Sequence, residues 1–113
     1  MKLINFLVII PFLYATSLSS ATGQLTTPET GVLCDQYICV DKSGVSVELT
    51  RKHIGDNAAQ AIKSQGEFDV TEFTFANGVY CDVKVKLCYK NRYFDAEGKR
   101  SPVERISTAW LFD

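Results

Sequence analysis

The sequence predicts a small α+β domain in which one short helix packs on an antiparallel β-sheet that disulfides hold together. Three observations predict this class. Short segments with alternating apolar residues, bounded by turn residues, indicate strands. One run with apolar residues at helical spacing indicates a helix that is separate from the strands along the chain. Four cysteines in an exported chain of 113 residues indicate two disulfides.

The amino terminus has the pattern of a secretory signal peptide. Lys2 is followed by an apolar run over residues 3–18 and then by small residues. A membrane anchor is the alternative interpretation, but the run is short and Pro11 interrupts it. We therefore expect cleavage after Ala21 or Gly23 and a mature chain that has no membrane segment.

The chain accordingly divides into three parts. Residues 1–21 are the signal peptide, residues 22–33 a flexible N-terminal arm rich in Thr, Gly and Pro, and residues 34–113 a single globular domain. The formal net charge is -1, so bulk charge does not indicate a nucleic-acid-binding protein. Because a chain this short buries only about 60–65% of its unfolded surface, we expect disulfides to supply part of the stability of a secreted monomer.

A β-hairpin and a helix open the globular domain. Residues 37–40 and 45–49 are predicted to pair across a turn at residues 41–44. Thr50 can cap the helix that follows, which is predicted over about residues 51–64. Its apolar stripe consists of Ile54, Ala58, Ala61 and Ile62. Gly55 lowers the stability of this helix by about 1 kcal/mol relative to alanine, and His53, the only histidine, lies beside the stripe.

Strands fill the rest of the domain. They are predicted over residues 67–75, 79–89 and 103–112. A phase change near Thr71 in the first of them indicates a bulge, and Asn77-Gly78 predicts a tight turn after it. A long loop over residues 90–102 precedes the last strand.

The four cysteines allow three pairings. Cys81 and Cys88 lie seven residues apart on one predicted strand without a turn between them, so we expect each to pair with Cys34 or Cys39. Cys39–Cys81 with Cys34–Cys88 is preferred over the exchanged pairing, and Cys34–Cys39 with Cys81–Cys88 is the least favoured. A zinc site is not expected, because the chain has no Cys-x-x-Cys pair and a single histidine. No cofactor is predicted.

Several motifs carry a family resemblance. They are the Tyr-Ile-Cys at residues 37–39, the helical run at 51–62, the strands at 67–75 and 79–89, and the loop and strand at 93–108. Together they resemble the fungal ribonuclease-like effectors, secreted proteins of plant pathogens built on the scaffold of the small guanyl-specific ribonucleases. The resemblance covers most of residues 34–113 and implies that scaffold.

The chain departs from this pattern at its end. The family's C-terminal cysteine is missing, and the chain stops where a further strand is expected. Another effector group, the small disulfide-linked β-sandwiches, is the alternative fold, although the predicted helix fits it poorly.

Cleavage of RNA needs a base, an acid and a cation that offsets phosphoryl charge. Arg105 matches the family's arginine, but the catalytic glutamate has no counterpart, since Cys81 falls nearest and Asp82 is the adjacent acid. His53 lies on the helix rather than on the sheet. We therefore predict no enzymatic activity, and interpret Arg105 as a salt-bridge partner of Glu104 or Glu97, with a vestigial phosphate contact as the alternative.

The resemblance implies a secreted fungal effector, a virulence protein that binds a host plant protein without catalysis. An immune receptor is one candidate partner, and translocation into host cells one candidate destination. The alternative functions are a secreted ribonuclease, an antimicrobial toxin and a protease inhibitor acting through residues 91–102. The predicted binding surface comprises Tyr80, Asp82, Lys84, Lys86, Arg92, Tyr93 and Arg100. A related patch could hold a single strand of RNA by charge and stacking, although a solvated strand face is the favoured interpretation. Its members are Lys84, Lys86, Arg92, Lys99 and Arg100, interleaved with Tyr80, Tyr89 and Tyr93.

Overall fold

The structure is a computed structural model that describes residues 24–113. The predicted signal peptide, residues 1–21, lies outside the described residues. The elements follow in the order β1 (Leu33–Cys34), β2 (Cys39–Asp41), β3 (Gly44–Val45), α1 (Val47–His53), α2 (Asp56–Lys63), β4 (Glu72–Thr74), β5 (Tyr80–Asp82), β6 (Leu87–Tyr89) and α3 (Arg105–Phe112). The strands form two antiparallel three-stranded sheets, β1-β2-β3 and β4-β5-β6. The predicted α+β class is confirmed, with three helices in the described residues rather than one.

The two sheets meet where β3 passes the chain that leads into β4. Val45 N–H donates to the carbonyl of Val70 at 2.9 Å. A Cβ on Gly44 would lie 2.1 Å from the same carbonyl oxygen, and the φ of Gly44 is +116°. Only glycine therefore fits at this junction. The predicted turn at residues 41–44 is confirmed, with Ser43 N–H donating to the Asp41 carboxylate.

The first helix begins earlier than predicted. Ser46 caps α1 by accepting a hydrogen bond from Leu49 N–H at 3.0 Å, so residues 47–49 are helical instead of extended. Thr50 is not the cap but a buried helical residue. Its hydroxyl donates to the Ser46 carbonyl and accepts from Cys39 N–H, which ties α1 to β2.

The predicted single helix is divided at Gly55. This residue has a φ of +116°, a conformation that L side chains rarely adopt, and it stands between α1 and α2. Ala59 and Ile62 form the buried side of α2. The hydrophobic stripe thus correctly predicts a helix here, and Gly55 ends the first helix instead of merely weakening a longer one.

The predicted strand over residues 79–89 is in fact a hairpin. β5 and β6 pair antiparallel across a turn at residues 83–86, in which Lys86 N–H donates to the Asp82 carbonyl at 2.9 Å. The Asp82 carboxylate accepts from Lys84 N–H, and Lys86 has a φ of +60°. An aspartate that folds back on the backbone two residues later is a turn device. It reverses the chain despite the alternation of valine and lysine.

The predicted last strand is helix α3. Glu104 caps it, because its carboxylate accepts hydrogen bonds from the N–H groups of Ile106 and Ser107. The Thr108 hydroxyl accepts from Cys88 N–H at 2.8 Å, and the Trp110 indole donates to the Val32 carbonyl at 2.9 Å. α3 therefore connects β6 of one sheet to the chain entering β1 of the other.

The main core lies between the sheets and α3. Its buried members are Leu33, Val40, Phe73, Phe75, Val79, Cys81, Cys88 and Leu111. Val32 and Leu33 fall within the arm predicted to be flexible, yet both are buried, and Thr26 pairs with Cys34. Packing in the described chain thus begins before Cys34.

Candidate functional site

The disulfides join Cys34 to Cys39 and Cys81 to Cys88. This is the pairing that the sequence made least favoured, so the preferred connectivity is wrong. The physical reason is the turn at residues 83–86, which brings Cys81 directly opposite Cys88 in the β5–β6 register. Cys34 and Cys39 are likewise opposite each other in the β1–β2 register. Each disulfide therefore closes a local hairpin, and the number of disulfides is the two that the sequence predicts.

Three residues of the predicted binding surface belong to a polar network on the second sheet. Tyr80 is buried instead of exposed, and its hydroxyl donates to the Glu72 carboxylate at 2.7 Å. Lys84 Nζ lies 3.0 Å from Glu72, 3.5 Å from Asp69 and 3.6 Å from Asp82. These groups pair with one another across β4 and β5, while the side chains of Lys84, Glu72 and Asp69 stay about half exposed. That this surface binds a partner stays a prediction.

The pKa directions of this network agree with its geometry. Burial, together with the hydrogen bond to Glu72, raises the pKa of Tyr80 to about 12. The hydrogen bonds from Tyr80 and Lys84 lower the pKa of Glu72, and the bond to Glu72 raises the pKa of Lys84. The network is therefore fully formed at neutral pH, with Tyr80 protonated and Glu72 ionised.

Arg100 lies against three aromatic rings. Its guanidinium carbon is 4.1 Å from the ring centroid of Phe94, 4.7 Å from that of Tyr80 and 5.2 Å from that of Tyr89. Tyr80 and Tyr89 also stack on each other, with centroids 6.1 Å apart. A cation over aromatic faces is attracted by their negative quadrupoles. Arg100 thus attaches the loop after β6, to which it belongs, to the second sheet.

We call residues 91–102 the 91–102 loop. Its ends are joined because the Ser101 hydroxyl accepts from Asn91 N–H at 3.0 Å and donates to the Asn91 carbonyl at 2.9 Å. At its tip, the Asp95 carboxylate accepts from the N–H groups of Glu97 and Lys99. Phe94 also pairs with Arg100 across the loop. The loop is consequently a small, internally bonded hairpin.

Two neighbouring aromatic rings of this loop face solvent. Tyr93 is 68% exposed and Phe94 is 57% exposed. The Arg92 guanidinium lies 6.0 Å from the centre of the Tyr93 ring. Arg92, Tyr93 and Arg100, three residues of the predicted binding surface, lie together on this loop. Phe94 lies beside them but is absent from the predicted surface. The run of two adjacent aromatics in a polar loop could have indicated it.

The remaining predicted residues lie apart from this loop. Lys86 is exposed in the turn between β5 and β6. Arg105 is the exposed first residue of α3, and no ion pair joins it to Glu104 or Glu97 within residues 24–113. The predicted salt bridge of Arg105 is therefore wrong, because Glu104 turns inward to cap α3.

The chain's only histidine has a structural partner. His53 ends α1, and its Nε2 lies 2.6 Å from the Glu29 carboxylate, which Lys52 also contacts at 3.1 Å. The hydrogen bond to His53 is the main cause of the lowered pKa of Glu29. No hydrogen bond links His53 to Asp82 or Arg105 in the described part of the chain. The residues weighed for RNA cleavage thus sit on three separate elements.

Within residues 24–113, no group of three or more His, Cys, Asp or Glu side chains is placed to hold a metal ion. No helix in that range is long and apolar enough to cross a membrane.

The fold and the site together define a small α+β domain with two hairpin-closing disulfides and an aromatic loop held over its second sheet. Residues 25–112 match the family model described as YcgJ protein. The "Uncharacterized protein YcgJ" of Escherichia coli (strain K12) is 53% identical over 91 residues, which cover 80% of this chain and 75% of that protein. No solved structure matches the chain. The chain belongs to the YcgJ family.

This membership corrects the family resemblance. The chain is not a fungal ribonuclease-like effector, since its family model and its 53% identical relative are those of a bacterial protein. The expected function as a fungal virulence protein of plant pathogens is wrong for the same reason. The expectation of a host plant partner had no support other than that resemblance.

Proposed function

We propose that the protein is an exported, non-catalytic binding protein whose 91–102 loop recognises an acidic segment of a partner protein in or outside the bacterial cell envelope. The observation that carries the proposal is the pair of exposed rings, Tyr93 and Phe94, on an internally bonded loop. Each of the following points supports one part of it.

Export is supported by the cysteine chemistry. All four cysteines are in disulfides, and disulfides persist in oxidising compartments rather than in the cytosol. The signal-peptide pattern at residues 1–21 favours the same destination. In a bacterium, that destination is the envelope or the medium.

Recognition is supported by the combination of exposure and rigidity. Aromatic side chains are frequent anchors of protein interfaces because they bury much area for little conformational entropy. Here the loop's ends are bonded through Ser101, and Arg100 stacks between Phe94 and the second sheet. A loop that is ordered before binding loses less entropy on association.

The chemistry of the partner follows from charge. Residues 90–100 contain four basic residues and two acidic ones. One of the acids, Asp95, is occupied by the backbone of its own turn. Within the described chain no carboxylate forms an ion pair with Arg92, Lys99 or Arg100. Arg100 is held by its aromatic contacts, so Arg92 and Lys99 are the cations available to an acidic partner, and they would steer its approach.

Site-specific photocrosslinking in living bacteria tests this proposal. A benzophenone amino acid replaces Tyr93 in one strain and Lys63, an exposed residue of α2, in a control strain. We expect a discrete adduct from position 93 and none of that size from position 63, with the crosslinked peptide of the partner rich in Asp and Glu. A double substitution, Arg92→Ser with Lys99→Ser, should reduce the adduct several-fold.

Three results would contradict the proposal. They are the absence of an adduct specific to position 93, an adduct whose yield ignores the double substitution, and a partner segment without acidic residues. Binding of a fluorescent single-stranded oligonucleotide that Tyr93→Ala abolishes would instead make nucleic acid the ligand of the loop. Substrate-dependent turnover by the purified protein would refute the absence of catalysis.

A further inference from the structure

A groove lies between the turn at residues 36–38 and helix α2, on elements other than those of the 91–102 loop. Its volume is about 530 Å³, within the range of binding sites for small ligands. The apolar part of the lining comes from Ile38, Ile54 and Ile62 together with Ala58 and Ala61 of α2. Tyr37 forms one wall and is 62% exposed. The groove therefore places one solvent-facing aromatic ring beside an apolar floor.

The wall that carries Tyr37 is fixed before any ligand arrives. Cys34–Cys39 closes the turn. Asp35, which is buried, accepts hydrogen bonds through one carboxylate oxygen from Tyr37 N–H at 2.7 Å and Ile38 N–H at 2.8 Å. Its other oxygen accepts from Ala76 N–H at 2.7 Å, which ties the turn to the chain after β4. The Tyr-Ile-Cys motif is thus the edge of a preformed groove.

The opposite wall is helix α2. It begins directly after Gly55, and its inner side is anchored by buried Ala59 and Ile62. Ala58 and Ala61 line the groove, and their short side chains leave its mouth open. Both walls are therefore held by the fold, so binding requires no rearrangement of the backbone.

The lining contains no charged side chain. Its polar groups are the carboxamides of Gln36, Asn57 and Gln65 and the hydroxyl of Tyr37. In the described chain, the side chains of Asn57 and Gln65 form no hydrogen bond, and that of Gln36 reaches only the Tyr37 hydroxyl at 3.5 Å. Each carboxamide offers donors and an acceptor, as a peptide backbone does. A charged ligand would lose hydration here without gaining a counter-charge.

We propose that this groove binds an uncharged, apolar peptide segment of another protein. The apolar floor accepts two or three side chains, and the carboxamides at the rim pair with backbone N–H and C=O groups of the segment. A peptide fits better than a free small molecule because the groove is open. Pockets for small molecules bury most of their ligand, whereas grooves for peptides cover one side. The proposal is independent of the 91–102 loop.

Two matched variants test it. Ala61→Arg places a long charged side chain at the mouth of the groove, whereas Gln60→Arg places the same side chain on the neighbouring position, which does not line it. Both positions are exposed in α2, and arginine is nearly as good a helix former as alanine, so both variants should fold. Circular dichroism and the melting temperature verify that they do.

The probe is a phage library of random twelve-residue peptides, selected on the disulfide-bonded protein. We expect enrichment of sequences that share an uncharged apolar stretch of three to five residues. The enriched peptide, made synthetically, should shift the amide NMR signals of residues 36–38 and 54–65. Its Kd should rise at least tenfold in Ala61→Arg and stay within twofold in Gln60→Arg and in Tyr93→Ala.

Several outcomes would overturn the proposal. No enrichment would do so, as would a consensus that carries charge, shifts confined to the 91–102 loop, or a Kd unchanged in Ala61→Arg. Shifts of residues 54–65 that appear on raising the protein concentration alone would assign the groove to a second copy of the chain. Because Tyr93→Ala and Ala61→Arg alter different surfaces, failure of either proposal leaves the other testable.

Discussion

Removal of one disulfide at a time has an outcome that depends on which cysteines are paired. The structure joins residues separated by 5 and by 7 positions. In the chain-entropy account, loops of this size stabilise the folded state by about 2.2 and 2.5 kcal/mol. The pairing preferred from the sequence closes loops of more than 40 residues, for which the same account gives about 4 kcal/mol each.

The assay is urea unfolding of the oxidised protein against two double variants, Cys34→Ala with Cys39→Ala and Cys81→Ala with Cys88→Ala. Each variant should still fold, and its midpoint should fall by about 2 M if the urea slope is about 1 kcal/mol per molar. The second variant should lose somewhat more, because both of its sulfur atoms lie in the main core.

Peptide mapping checks the pairing itself. Trypsin cuts after Lys84 and Lys86, between Cys81 and Cys88, whereas no basic residue separates Cys34 from Cys39. Without reduction, the peptides that carry Cys81 and Cys88 should therefore be joined only to each other. A peptide containing Cys34 and Cys39 linked to either of them would refute the reasoning, as would loss of folding in one double variant alone.

Two further predictions concern the backbone at Gly44 and the fall of the melting temperature at acid pH. Gly44→Ala should destabilise the fold by at least about 2 kcal/mol, because the new Cβ meets the Val70 carbonyl. Gly66 also has a positive φ but open space around it, so Gly66→Ala should cost only about 1 kcal/mol. Equal melting temperatures of the two variants would contradict this. Burial alone would raise the pKa of Glu104, but the hydrogen bonds from Ser107 and Ile106 lower it below the ordinary value of 4.5. A carboxylate whose pKa is lowered in the folded state stabilises the fold above pH 4.5, and this stabilisation is lost as the pH falls through the folded-state pKa. Glu104→Gln should therefore flatten the decline of melting temperature below pH 4.5. Glu97→Gln, at an exposed loop position, should leave that decline unchanged.

Local chemistry explains which elements could be predicted. The turns at residues 41–44 and at Asn77-Gly78 are confirmed because Asp, Asn and Gly specify turns through their own backbone and side chains. The helix at residues 56–63 is confirmed for a similar reason, since helical periodicity is a local pattern. Its predicted stripe is right only for Ile62, because Ala61 is exposed and Ile54 lies before α2. These signals do not depend on the rest of the fold.

The errors arise where tertiary contacts oppose local preference. Residues 79–89 alternate as a strand does, and only Asp82 marks the turn that makes them a hairpin. Residues 105–112 are rich in β-branched and aromatic side chains, yet the Glu104 cap and the Thr108 contact with β6 make them helical. Ser101 and Glu104, three apart before an apolar run, have the pattern of a capping box and could have indicated a helix here. In the structure Glu104 is itself the cap, and Ser101 bonds to Asn91 instead.

Three residues of the predicted binding surface, Arg92, Tyr93 and Arg100, lie on one loop. That this surface binds a partner stays a prediction. The sequence predicts Tyr80 on the outward face, but Tyr80 is buried because Arg100 and Tyr89 lie against its ring. The Tyr-Ile-Cys motif does not indicate the fungal family, and in the structure it belongs to a disulfide-closed turn beside the groove.

The yield of photocrosslinked adduct from position 93, measured in cells against position 63, decides whether the 91–102 loop binds an acidic partner. We expect a discrete adduct at position 93 whose partner segment is acidic and whose yield falls several-fold with Arg92→Ser and Lys99→Ser. Equal yields at the two positions, or no adduct at position 93, would contradict it.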